Sequence, residues 1–217
     1  MLHLFLPVVL FVATQISIHS QPQIEPVLAT RTISLEKRYP NPFVNTVFKE
    51  NILLNLAYMR GIVSPSKNVD WVKVTEPFTY TLILQPGEVF AFQEDVLPEY
   101  RDSLAKTTNA HFNAQEGFKS DGYLMGDGVC HLASLIYWAA ADAKLHAKAP
   151  TNHNFAHIPE VPKEYGVSIY YAPGNETGNA RQNLYVKNDK TIPIAFVFSY
   201  KDDLLRVDVK EELKKPS

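Results

Sequence analysis

The stretch that most constrains this chain is Gly126-Asp127-Gly128-Val129-Cys130-His131-Leu132-Ala133-Ser134, which holds the only cysteine and leads into a long apolar run. Gly126 and Gly128 free the backbone for a tight turn and for close approach by another group. Asp127 has the side chain of an N-cap. Beyond it, Leu132, Ala133, Leu135, Ile136, Ala139, Ala140 and Ala143 recur at spacings of three and four. That pattern predicts a buried amphipathic helix from Val129 to about His146. Cys130 then lies in the first turn, where unpaired N–H groups and the helix dipole favour a thiolate. Such a thiol is either a nucleophile or, as free cysteines commonly are, a buried space-filler.

An apolar helix needs a partner surface, and the sequence downstream supplies strands. Gly166 to Ala172, Asn183 to Lys187, Ile192 to Tyr200 and Leu204 to Lys210 read as strands of an antiparallel meander, separated by turns carrying Pro-Gly-Asn and Asn-Asp-Lys. Upstream, residues 46 to 60 follow the helical template, with Val47, Ile52, Leu53, Leu56 and Met59 on one face and Gly61 placed to end the helix. A short strand is expected at Arg31 to Leu35, and Val72 to Leu84 reads as a longer one. Gln85-Pro86-Gly87 marks a turn before a short strand at Glu88 to Phe92, and Leu97 to Lys106 has helical character. The expected fold is α+β: one buried helix carrying Cys130, packed on an antiparallel sheet, with a small N-terminal helical segment.

Residues 1 to 18, MLHLFLPVVLFVATQISI, carry no Lys, Arg, Asp or Glu. Residues 1–20 read as a secretory signal peptide ending at Ser20 or as an uncleaved N-terminal anchor. Residues 21–75 form a linker and the helical segment, 76–210 the main domain, and 211–217 a charged tail. No second long apolar segment exists, so membrane contact is expected only through the N-terminal stretch. The expected location is secreted or in the extracytoplasmic envelope. Net charge is −2, from 21 basic and 23 acidic side chains, which gives no basis for a nucleic-acid partner.

His153 is the leading partner for Cys130. It lies in the loop Asn152-His153-Asn154-Phe155 between helix and meander, and a neutral imidazole beside a thiol can take its proton. His157 is the alternative base. His131 adjoins Cys130 but should point elsewhere, since neighbours on a helix diverge. His111 reads as a solvated loop residue and His146 as a solvated one at the helix C-terminus. Glu160, Glu164 and Asn152 are the candidates to orient His153. Cys130, His131, His153 and His157 could be gathered around a metal, but no HExxH or CxxC spacing supports one. With no Walker loop, dinucleotide fingerprint or GxSxG, no cofactor is expected.

Three stretches carry a family resemblance. Gln85-Pro86-Gly87-Glu88-Val89-Phe90-Ala91-Phe92 resembles the PGEVFSF of the VanW-like family, named after a gene of some vancomycin-resistance clusters. Residues 126 to 137, GDGVCHLASLIY, resemble its GGGVCQLASLLY, and Asn152-His153-Asn154 its NHS. Asn183 to Asn188 is similar to its DLRFKN strand. The resemblance covers about residues 76 to 210. It implies a bacterial cell-envelope protein acting on or binding peptidoglycan, with Cys130, His153 and an acid as the site. Where the family commonly has an aspartate in a DATV stretch, this chain has Tyr165, which leaves Glu164 as the substitute acid.

Overall fold

The structure is a computed structural model that describes residues 26–65 and 68–212. The expected leader over 1–20 and most of the expected tail lie outside the described residues. The fold is α+β, as the patterning predicts. The described residues form two four-stranded sheets and two long, largely buried helices.

The first sheet is antiparallel and contains β1 (Val27–Ser34), β2 (Phe78–Leu84), β7 (Ile194–Lys201) and β8 (Leu204–Glu211), in the order β1-β8-β7-β2. Strand alternation sets its inner face: Ile194, Phe196, Phe198 and Tyr200 of β7 are buried, as are Leu205, Val207 and Val209 of β8. The β7–β8 hairpin pairs Lys201 with Leu204, and Asp202 and Asp203 turn it with φ of 50° and 58°. Two consecutive left-handed residues match the twist of a two-residue hairpin, and aspartate tolerates that conformation.

The second sheet is smaller: β3 (Val89–Ala91), β4 (Leu104–Lys106), β5 (His146–Lys148) and β6 (Tyr185–Lys187), in the order β4-β3-β6-β5. Only its β3–β4 pair is parallel. Helix α1 (Pro42–Met59) starts earlier than the periodicity predicts, because Asn41 caps it by accepting from the amides of Phe43 and Val44 and Pro42 tolerates the first turn. Helix α3 (Val129–Asp142) touches β1, β8, β5 and α1, so its apolar positions are covered from several sides.

Four local expectations are corrected. Val72 to Leu84 is not one strand: Asp70 accepts from the Lys73 amide and starts the short helix α2 (Trp71–Thr75) before β2 begins. The helical character at Leu97 to Lys106 resolves into a 3-10 turn, Pro98–Ser103, and β4. Helix α3 stops at Asp142 rather than His146; Lys144 takes φ of 58°, and His146 belongs to β5. The segment after Gly166 makes only one bridge, Asn152 to Val167, instead of a full strand. A further helix, α4 (Glu176–Arg181), started by the Asn175 side chain, lies in that region as well.

Candidate active site

The turn before α3 is built by close contact rather than by the expected cap. Gly128, not Asp127, is the N-cap residue, and it has φ of 99°. A Cβ placed there would lie 2.6 Å from the Phe48 carbonyl oxygen, so glycine is required both by conformation and by the nearness of α1. Asp127 instead accepts from the Asp121 amide at 3.1 Å, which closes the preceding loop. Buried Asn51 of α1 holds both flanks of that loop. Its amide donates to the Lys119 and Asp127 carbonyls at 2.9 and 2.8 Å, and its oxygen accepts from the Lys119 amide.

Cys130 is half-buried in the first turn of α3. Its sulfur donates to the Ile169 carbonyl at 3.6 Å and accepts from the Ile169 amide at 3.4 Å. One turn on, the Ser134 hydroxyl donates to the Cys130 carbonyl and accepts from the Val167 amide at 2.8 Å. Ser134 thus pins the 167–169 segment beside the helix and brings Ile169 to the thiol. The expected depression of the thiol's pKa is reversed. Burial pushes it up to about 11; the Ile169 amide opposes this and the Asp127 carboxylate adds to it. Asp127 is itself pushed up to about 6, first by burial.

His153 is 8% exposed and lines the same cavity as Cys130. The Ala156 carbonyl lies 3.1 Å from Nδ1, which assigns the proton to that nitrogen and leaves Nε2 with a free lone pair. Nε2 has no hydrogen-bond partner among the described residues, so the structure draws no bond between the thiol and this ring. Burial lowers the His153 pKa, partly offset by the Ala156 carbonyl. The ring is therefore neutral at neutral pH.

His131 does not point away. It is 5% exposed, lines that same cavity, and its ring centroid lies 6.4 Å from that of His153 and 5.0 Å from that of Phe48. Its Nδ1 is buried without a partner among the described residues. Burial, then the nearby Arg38 cation, holds its pKa well below the usual imidazole value. The divergence of neighbouring helical residues still holds, but both directions end on one cavity because it wraps around the helix N-terminus. That cavity, about 270 Å³ in volume, also takes in Arg38, Asp127, His157 and Ser168.

The acid candidates lie elsewhere. Glu164 is exposed on a 3-10 turn, Lys163–Tyr165, and makes no hydrogen bond among the described residues. Glu160 pairs with Arg38 and accepts from the Ser34 amide, and the Asn152 amide donates to the Lys163 carbonyl. Tyr165 is part of the packing, stacked on Trp138 and edge-on to Tyr137. A backbone carbonyl, rather than a carboxylate, thus orients His153. Among the described residues no three His, Cys, Asp or Glu side chains are arranged to hold a metal ion. His111 is not merely solvated: its two nitrogens meet Glu116 at 2.7 Å and Glu94 at 3.0 Å. The roles of Arg38, Asn51, Phe48, Ser134 and Ile169 at the site were not anticipated; Asn51 and Ser134 carried a sequence signal, as polar residues in otherwise apolar stretches, and the other three carried none.

No curated protein and no solved structure matches this chain. A family profile described as VanW like protein does match, over residues 71–210, and it takes in Cys130, His153 and both sheets apart from β1 and the last residue of β8. The chain belongs to the VanW-like protein family.

Proposed function

We propose that this protein is a cell-envelope cysteine hydrolase or acyl transferase that acts on peptide bonds of peptidoglycan, with Cys130 as nucleophile and His153 as base. The observation that carries this reading is the shared cavity, which is lined both by a thiol at a helix start and by a neutral imidazole with a free Nε2. The leader-like first 18 residues support an extracytoplasmic location. Among the described residues no helix is long and apolar enough to cross a membrane.

With the thiol pushed up to about 11 and burial holding His153 below its ordinary value, a resting thiolate–imidazolium pair is disfavoured. Proton transfer must therefore accompany attack. The sulfur leaves its contact with Ile169 and adds to the carbonyl carbon while His153 Nε2 takes the proton. The amides of the 126 to 130 turn are the donors for the developing oxyanion in this reading. The C–N bond then breaks, the amine leaves with the proton from His153, and a thioester remains on Cys130. Water or a second amine resolves it. Glu164, the remaining candidate acid, would have to move to reach the ring.

One observation favours a second reading, a wall-binding module that keeps the fold without the reaction. The sulfur already has both its hydrogen-bond needs met by Ile169. Incubation with peptidoglycan fragments separates the two. The enzyme reading expects altered fragments with the wild type, a thioester on Cys130 visible by mass spectrometry, and loss of both in Cys130→Ala and of turnover in His153→Ala. The binding reading expects co-sedimentation with insoluble peptidoglycan, unchanged in Cys130→Ala, and no product. Absence of product and of co-sedimentation rejects both.

A further inference from the structure

We propose that Arg38 is a positioning residue of the candidate site, anchoring the loop that carries His153 through Pro159 and Glu160. The proposal rests on the cysteine–histidine reading for the loop's purpose, while the anchoring itself is measurable without activity.

Arg38 is 1% exposed. Its guanidinium donates from Nε to the Ser34 carbonyl at 2.7 Å, from Nη1 to the Pro159 carbonyl at 3.2 Å, and from Nη2 to the Glu160 carboxylate. A cation this deep persists only where its donors are satisfied. Here they are satisfied mainly by one loop. That loop is pinned at its other end by the bridge of Asn152 to Val167 and by the His153 amide, which donates to the Gly166 carbonyl at 3.2 Å. Between the two anchors lie His153, Phe155 and His157, all of which line the cavity. Glu160 itself has φ of 66°, a conformation that a non-glycine residue holds only when its surroundings impose it. Its carboxylate meets both the Arg38 guanidinium and the Ser34 amide, which supplies that restraint.

Arg38 lies outside the matched 71–210 region, as do Phe48, which packs on His131, and Ser34. The segment from Ser34 to Phe48 therefore closes one wall of the site from outside the matched region. Its guanidinium also acts on His131 through space, since its charge opposes protonation of that ring alongside burial, His153 and His157.

The test is the tautomer and titration of the histidine rings in the full chain, read by nitrogen–proton correlation NMR on histidine-labelled protein. Arg38→Met should raise the His131 pKa and turn His153 from a single Nδ1–H tautomer into a mixture. Arg38→Lys keeps the charge but not the three-way hydrogen bonding, so His131 should stay low while His153 still becomes mixed. A His153 signature unchanged in both folded variants overturns the proposal, even if His131 moves, because charge alone would then be acting. Should circular dichroism show that Arg38→Met does not fold, Glu160→Ala decides, since that side chain is partly in solvent and its loss removes the carboxylate through which Arg38 and the Ser34 amide both hold the loop. A mixed His153 tautomer there supports positioning, and an unchanged one rejects it. Failure of Cys130→Ala to abolish turnover would sink the enzyme reading and leave these spectra unaffected.

Discussion

The Cys130 sulfur pairs with the backbone of Ile169 in both directions, donating at 3.6 Å and accepting at 3.4 Å, while the His153 ring lies edge-on to that of His131 at 6.4 Å between centroids. The thiol is thus held protonated against a strand-like segment, within a cavity that also presents a neutral base. Ser134 makes this arrangement by tying Val167 to the Cys130 turn.

Alkylation of Cys130 should follow its raised pKa. At pH 7 a thiol at about 11 holds about 300-fold less thiolate than a free one at about 8.5, so native iodoacetamide labelling should be slower by a similar factor. The rate should climb about tenfold per pH unit between about pH 7 and 10. Denatured protein should label like a free thiol. A native rate that levels off by about pH 8 would mean an activated thiol and would contradict the burial account.

Gly128→Ala should be costly. Its Cβ would meet the Phe48 carbonyl oxygen at 2.6 Å in a backbone with φ of 99°. The expected loss is about 2–4 kcal/mol in urea unfolding, combining strain and displacement of α1. Gly174→Ala is the control: φ is 76° and no atom of the described residues lies within 4 Å of the added Cβ, so only about 1 kcal/mol of backbone strain is expected. Equal losses at the two positions would show that the approach of Phe48 does not matter.

Two histidines should tilt the stability–pH curve in opposite directions. His131 has a folded pKa below its unfolded 6.5, so the folded state binds fewer protons; its contribution is complete above 6.5 and is lost as pH falls below it. Burial alone would lower His111, but its hydrogen bonds to Glu94 and Glu116 outweigh burial and raise it. Its contribution is complete below 6.5 and is lost as pH rises through the folded pKa. His131→Phe should therefore flatten the acid-side decline, by up to about 1.4 kcal/mol per pH unit. His111→Gln should cost more at about pH 6 than at a pH above the ring's raised folded pKa, where the wild-type ring has lost its charge. Denaturant midpoints across that range check both, and a pH-independent offset in either variant would refute its assignment.

The sequence by itself determined the parts governed by local periodicity and turn chemistry. Helix α3 with Cys130 in its first turn, the body of α1, the β7–β8 hairpin and the α+β class follow from which residues must be buried at spacings of two or of three and four. The shared placement of Cys130 and His153 at one cavity was legible as well, through the motif and its order along the chain. Tertiary structure decided the rest, because it depends on distances between residues far apart in sequence. Whether Cys130 is activated turned on Ile169, 39 residues away, and on burial that no local pattern encodes. The cap of α3 went to Gly128 because α1 comes within contact there, leaving Asp127 to close the loop behind it. His153 takes the Ala156 carbonyl, since a nearby backbone acceptor satisfies Nδ1 without the entropy of ordering the exposed Glu164 side chain. Arg38 came to the site through the packing of an N-terminal segment that carries no motif, and Phe48 of that same segment packs on His131, whose charge is set by burial that its place in the motif does not encode.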